Sequence, residues 1–144
     1  MQLIRSFEQQ DAALVGFGIR VMLVTQDGPD GLVARRLAGI GGQVECLPEM
    51  FTALSSVIED PAGYGLFVID CDAFGGVAEA RRAIAMMGDV ALRVPVILIS
   101  RDCPSQIFPA DRGMPVVLRA PLSAVSLRVG FEHALRDRLA LRMV

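Results

Sequence analysis

The chain has 144 residues, of which 53% are hydrophobic and 21% charged, and its formal net charge is −2. This length suits one domain with a single core, and the composition excludes disordered and collagen-like classes. No stretch free of charged residues approaches the roughly 20 residues that a membrane-spanning helix needs, so we expect a soluble chain with no membrane contact. The slightly acidic balance gives no basic field for a phosphate backbone, so nucleic acid is not an expected partner.

The basic and nucleophilic residues exclude several classes of enzyme. All 14 basic residues are Arg, and His133 is the single His. Without Lys there is no Schiff-base chemistry and no Walker-type phosphate loop, and one His removes most metal sites and catalytic triads. The three Cys form no C-x-x-C pair, which favours buried thiols in a reducing cytosol. Charged residues interrupt the N-terminal positions, so we expect no signal peptide and a cytoplasmic location.

Short β-branched runs alternate with segments of helical period from residue 20 to residue 142. This alternation is typical of a parallel sheet with crossover helices. The predicted strands cover residues 21–24, 43–47, 66–69, 96–99 and 116–118. Residues 1–19 precede the pattern as an N-terminal extension, and residues 20–144 form the predicted domain.

Apolar spacing predicts helices in the connections between these strands. The first helix follows Asp30, which we expect to cap it, and the second covers residues 49–59. The third covers residues 77–90. The last helix follows its predicted cap, Ser123, and runs for about twenty residues.

The connection between the fourth and fifth strands departs from this rhythm. It contains Pro104, Pro109, Gly113 and Pro115, which leave little room for a regular helix. The predicted architecture is therefore an α/β three-layer sandwich with a five-stranded parallel sheet and a shortened or missing fourth helix. We also expect unprotected amides in residues 103–113, together with an unusually accessible fifth strand and last helix.

Polar side chains gather where the predicted strands end. In an open parallel sheet, the loops at the carboxyl ends of the strands converge, and ligands collect there. The candidate site residues at this edge are Thr25, Gln26, Asp27, Asp70, Asp72, Ser100, Arg119 and Ala120.

Five β–α units with an Asp closing the third strand resemble the receiver domains of two-component response regulators. The resemblance covers residues 20 to 140 and rests on this topology, on Asp70, Ser100 and Pro121, and on the spacing between them. It implies a flavodoxin-like fold in a bacterial signal-transduction and phosphorelay protein. It also implies that Asp70 stands in the place of the phosphoacceptor and that Ser100 can contact a phosphoryl oxygen.

The chain departs from the receiver pattern at the Mg²⁺ ligands. The family holds Mg²⁺ partly with two acidic residues after the first strand, and these positions correspond here to Thr25 and Gln26. Mg²⁺ prefers carboxylates and waters, and Asp27 lies one residue further on. We therefore expect no metal site of the usual kind and at most weak Mg²⁺ binding.

A second departure removes the switch residues. The family's Lys falls on Ala120 and its aromatic switch residue falls on Val117. Strand alternation points the neighbouring Arg119 to the opposite face, which makes it a poor substitute. The resemblance then implies a pseudo-receiver, a non-catalytic signalling domain that acts by protein–protein interaction.

Two alternatives remain open. One is an atypical response regulator that is still phosphorylated on Asp70. The other is a small phosphotransferase, because Asp70, Cys71 and Asp72 also resemble the first motif of haloacid-dehalogenase-type enzymes, with Asp70 as nucleophile and Asp72 as general acid. That family's Lys and later acidic pair are missing here. The simpler interpretation of Asp72 is a cap on the following turn.

The last helix supplies the predicted interface. A helix of about twenty residues spans roughly 30 Å, which is longer than a typical strand can cover. We expect its apolar residues to bind a protein partner or a second copy, as a possible homodimer. The predicted contact residues are Leu127, Phe131, Leu135 and Leu139. The alternative is a monomer whose N-terminal extension covers that helix.

Overall fold

A computed structural model of the protein describes residues 18–136. Five parallel strands form one sheet in the order β2-β1-β3-β4-β5. The strands are β1 Arg20–Val24, β2 Gln43–Leu47, β3 Leu66–Asp70, β4 Val96–Ser100 and β5 Val116–Arg119. All five strand predictions are confirmed, and β2, at the edge of the sheet, is only partly buried.

Helices lie in the crossovers and after the last strand. They are α1 Leu32–Gly39, α2 Met50–Glu59, α3 Val77–Ala85, α4 Val90–Arg93 and α5 Ala124–Ala134, with a 3₁₀ helix at Cys71–Phe74. No helix in residues 18–136 combines the length and the apolar character needed to cross a membrane.

The helix ends confirm one predicted cap and correct two other expectations. Ser123 caps α5, since its side chain accepts from the backbone N–H of Ser126 at 3.0 Å. Asp30 does not cap α1, because the helix begins after Gly31, which has no side-chain oxygen to accept a bond. The predicted third helix is also too long, since the backbone leaves the helix after Ala85 and turns through Gly88 at a φ of 55° before α4 begins.

Each face of the sheet is buried under helices. In β3, Phe67 and Ile69 belong to the core beneath α2 and α3, whereas Leu66 and Val68 belong to the core shared with α1 and α5. This burial on both faces explains why the strand is apolar without interruption. The predicted three-layer α/β architecture is therefore confirmed.

The apolar stripe of α5 is part of this core. Leu127, Phe131 and Leu135 are all at most 2% exposed and pack in the cluster that contains strand residues of β3 and β4. The prediction that these residues form an interface is therefore wrong for the folded domain, since the sheet already covers them. Leu139 and the expected length of the helix lie outside the described residues.

The connection between β4 and β5 lacks a helix over residues 101–115, as predicted. Residues 103–114, here called the strap, run across the edge of the sheet instead. Ile107 and Val117 exchange two backbone hydrogen bonds of 2.9 Å each. The expectation of an accessible fifth strand is therefore wrong, because the strap pairs with its edge and leaves Val117 only 2% exposed.

Side chains from β5 and α5 hold the strap in place. The Arg119 guanidinium donates to the carbonyl oxygens of Cys103 and Pro104, at 3.0 Å for the Cys103 contact. His133 donates through Nε2 to the Pro109 carbonyl at 2.5 Å. Arg136 donates to the Ala110 carbonyl at 2.7 Å. These bonds give the strap a defined path without a helix.

Candidate functional site

Asp70 ends β3 and lies half-buried at the carboxyl edge of the sheet. The register places Val24 beside Ile69, so the residue after β1 lies next to Asp70. The buried Thr25 hydroxyl donates to the Asp70 carboxylate over 3.4 Å and accepts from the backbone N–H of Asp27 at 3.2 Å. A hydroxyl carries one proton, so Thr25 directs its only donor at Asp70.

The charges near Asp70 are mostly negative. Burial raises the pKa of Asp70 above its ordinary value, and the charges of Asp27 and Asp72 raise the pKa further. The Thr25 hydrogen bond and the Arg101 guanidinium act in the opposite direction but do not cancel the rise in pKa. The surroundings of Asp70 therefore disfavour additional negative charge.

Asp72 binds the end of the neighbouring strand. Its carboxylate oxygens accept from the Ser100 hydroxyl at 2.6 Å and from the backbone N–H of Arg101 at 2.9 Å. The fully buried Ser100 hydroxyl in turn accepts from the backbone N–H of Asp102 at 3.1 Å. The interpretation of Asp72 as a cap on its own turn is therefore wrong, because its carboxylate joins the ends of β3 and β4.

Three predicted site residues line grooves whose lining does not include Asp70. The exposed Gln26 lines a groove of about 360 Å³ together with Phe51 and Phe74. Arg119 and Ala120 line a different groove of about 460 Å³, on the side of the strap. The Arg119 guanidinium is held by strap carbonyls, which agrees with its expected unsuitability as a substitute cation.

The backbone of Ala120 is bonded to the end of β4. Its N–H donates to the Ser100 carbonyl at 3.0 Å, and its peptide bond to Pro121 is cis. The structure thus brings together Thr25, Asp70, Asp72 and Ser100, with Asp27 contributing its backbone N–H and its charge.

The donor set around Asp70 does not fit the Mg²⁺ site that the receiver pattern implies. That site needs several carboxylate and water oxygens in octahedral geometry. The corresponding positions hold a buried Thr25 hydroxyl, which already contacts Asp70, and an exposed Gln26 amide that lines another groove. Within the described chain, no group of three or more His, Cys, Asp or Glu is arranged to hold a metal ion.

The structure adds one residue that sequence reasoning missed and removes one nucleophile from consideration. The backbone N–H of Arg101 donates to Asp72, and the positive charge of Arg101 lowers the pKa of Asp70. Its position directly after Ser100 was the signal that the sequence offered.

Burial raises the pKa of the Cys71 thiol to about 12, so this thiol stays protonated at neutral pH and is a poor nucleophile.

Comparisons with known proteins identify the fold of the chain. No protein-family model and no curated protein matches the chain. A response regulator receiver domain from Clostridium thermocellum is 14% identical with a TM-score of 0.67, over 85% of this chain and 98% of that one.

Two receiver domains of histidine kinases share the same fold. One, from a sensor histidine kinase of Pseudomonas aeruginosa and solved with a magnesium ion coordinated in its active site cleft, is 20% identical with a TM-score of 0.63, over 83% of this chain and 98% of that one. The other, from the hybrid histidine kinase CckA, is 17% identical with a TM-score of 0.54, over 88% of this chain and 100% of that one. The expected receiver fold is confirmed.

Proposed function

We propose that this receiver-fold domain signals by protein–protein contact and does not operate through phosphorylation of Asp70. The fold of its structural neighbours supports a signalling role. The observation that carries the non-catalytic part is the donor set at Asp70, where Thr25 and Gln26 replace acidic residues and the nearby charges are mostly negative.

Phosphoryl transfer depends on neutralising the charge that develops on the transferred group. Receiver chemistry uses Mg²⁺ and a Lys for this purpose, and the chain contains no Lys. Arg119 carries the right charge, but strap carbonyls hold its guanidinium. Arg101 is the cation that lowers the pKa of Asp70, and the charges of Asp27 and Asp72 oppose it. This imbalance favours a pseudo-receiver over an atypical response regulator that uses Asp70.

The contact surface in this proposal is the outward stripe of α5. Val125 is 74% exposed and Val129 is 48% exposed, although both are apolar. Arg128 and Glu132 lie on the same stripe and form an ion pair of 3.1 Å, because residues three and four apart share one helical face. The stripe replaces the buried residues that sequence analysis assigned to an interface.

A Mg²⁺ titration followed by amide chemical shifts tests the proposal. We expect no saturable shift at Thr25, Asp70 or Ser100 at millimolar Mg²⁺. The matched variant is Gln26→Asp, which adds a carboxylate at an exposed position and should strengthen any Mg²⁺ response. Saturable shifts around Asp70 in the unmodified protein would favour the atypical response regulator instead.

Hydrolysis of a chromogenic phosphate ester tests the phosphotransferase alternative. We expect no turnover above that of the Asp70→Asn variant. Turnover that disappears in both Asp70→Asn and Asp72→Asn would establish the enzyme and contradict the proposed function.

A further inference from the structure

We propose that Asp72 is an internal anion that fixes the end of β4 and the start of the strap in one arrangement, so that no group added to Asp70 is needed to set it. The inference deepens the proposed function and rests on it. Its basis is the pair of donors that Asp72 engages, the Ser100 hydroxyl at 2.6 Å and the Arg101 N–H at 2.9 Å.

The first step concerns the proton of Ser100. A hydroxyl donates one hydrogen bond, and Ser100 donates its proton to Asp72. Ser100 therefore has no proton left for an anion attached to Asp70. The side chain of Ser100 is fully buried, whereas Asp72 is exposed, so in this arrangement water reaches the carboxylate but not the Ser100 hydroxyl.

The second step connects Asp72 to the strap. The carboxylate fixes the Arg101 amide directly, and through the Ser100 hydroxyl it fixes the Asp102 amide at 3.1 Å. Cys103 follows immediately, and its carbonyl accepts from the Arg119 guanidinium at 3.0 Å. Hydrogen bonds thus connect the turn after β3 to Asp102, and the peptide bond of Asp102 leads into the first residue of the strap.

The third step identifies what this series positions. The middle of the strap carries Ile107, which is 43% exposed, and Phe108, which is 38% exposed. The Phe108 ring meets the His133 ring of α5 edge-on with centroids 5.8 Å apart. Asp72 therefore fixes the start of a segment whose Phe108 contacts His133 of α5.

The arrangement is permanent because Asp72 is covalently part of the chain. An anion that belongs to the chain has a very high effective concentration at its donors, whereas a phosphoryl group is present only while it is attached. Asp72 also brings a negative charge close to Asp70, which opposes the arrival of a second anion there. The strap is consequently held in one state.

Amide hydrogen exchange in Asp72 variants tests the inference. Asp72→Ala removes both acceptors, and we expect exchange at Arg101 and Asp102 to rise about five- to tenfold, with a smaller rise at Ile107. Asp72→Asn keeps one acceptor but carries no charge, so it should restore only part of the protection. Asp30→Ala, at an exposed carboxylate outside this group of contacts, should change none of these rates.

Several outcomes would overturn the inference. Exchange at Arg101 and Ile107 within about twofold of the unmodified protein would show that Asp72 does not set the strap. Equal acceleration of Leu37 amide exchange in α1 would show general destabilisation, and full protection in Asp72→Asn would show that the charge of Asp72 is not needed. If Asp72→Ala does not fold, Asp72→Asn serves alone, and exchange at Arg101 and Ile107 equal to that of the unmodified protein would overturn the inference.

The intact mass after incubation with acetyl phosphate and Mg²⁺ separates this inference from the proposed function. Phosphorylation of Asp70 in the unmodified protein would contradict the proposed function, whatever Asp72 does. Loss of strap protection in Asp72→Ala without any such phosphorylation supports both.

Discussion

Asp70 is a carboxylate whose pKa is raised by burial and, to a smaller extent, by the charges of Asp27 and Asp72. A carboxyl group with a raised pKa in the folded state destabilises the fold when it is ionised, because the unfolded chain accommodates that charge more easily. The cost is largest above the raised pKa. It disappears below the ordinary Asp pKa of about 3.9, where both states are protonated.

Asp70→Asn should therefore stabilise the protein at neutral pH. We expect the melting temperature to be higher than that of the unmodified protein at neutral pH. The gain should shrink as the pH falls through the raised pKa. Thermal unfolding followed by circular dichroism measures it, and Asp30→Asn, at an exposed carboxylate, is the matched control. A gain that does not change with pH would contradict this assignment.

At the residue scale, strand ends were predictable and side-chain partners were not. The apolar runs before Asp70 and Ser100 fixed both residues at the carboxyl edge, because parallel strands end on the same side. The partner of Asp72 depends on how a 3₁₀ turn carries its carboxylate across to β4. Local sequence favours a cap for an Asp in that position, so only the tertiary structure reveals the bond to Ser100.

At the scale of elements, the strap shows how an edge strand is protected without a helix. Its path depends on the Arg119 guanidinium, which donates to two of its carbonyl oxygens. Arg119→Ala removes these donors, and we expect exchange at the Ile107 amide to rise about tenfold, because charged donors stabilise more than neutral ones. Amide exchange measures this effect, and Arg35→Ala, at an exposed position on α1, is the control. An unchanged rate at Ile107 would contradict the role of Arg119.

The prolines predicted that no helix follows β4, but they did not predict that the strap pairs with β5. Proline removes backbone donors and fixes φ, so Pro104, Pro109 and Pro115 were sufficient to exclude a regular helix. The reciprocal bonds between Ile107 and Val117 join residues ten positions apart in the sequence, and no local pattern specifies them. The expectation of unprotected strap amides fails at Ile107 for this reason.

The helices show a second limit of sequence patterns. An apolar stripe with helical period marks a face that must be covered, and it does not say whether a sheet or another molecule covers it. For Leu127, Phe131 and Leu135 the cover is the sheet of the same chain. In α3 the apolar period continues to Met87, which is buried, although the helix itself ends at Ala85.

At the scale of the whole molecule, the outward stripe of α5 is suited to pairing with a second copy. An antiparallel contact between two such stripes would place Arg128 of each copy near Glu132 of the other, while Val125 and Val129 become buried. We expect the mass measured by light scattering to rise from 15.5 kDa toward a dimer as concentration increases. Burial of a few Val side chains at about 1.5–3 kcal/mol each supports a weak dimer after the entropy cost of association.

Val125→Glu should abolish this self-association, because a dimer would bury an additional charge. Phe51→Glu is the matched control, since Phe51 is an apolar residue of α2 that is 58% exposed in the other helical layer. A dimer that persists in Val125→Glu, or a strict monomer at all concentrations, would contradict the assignment of this surface.

The most direct measurement of the central proposal is the intact mass of the protein after incubation with acetyl phosphate and Mg²⁺. We predict no added phosphoryl group, because the residues around Asp70 do not neutralise the charge that develops during transfer. The Asp70→Asn variant provides the reference for modification elsewhere. A mass increase of one phosphoryl group that is present in the unmodified protein and absent in Asp70→Asn would contradict the pseudo-receiver proposal.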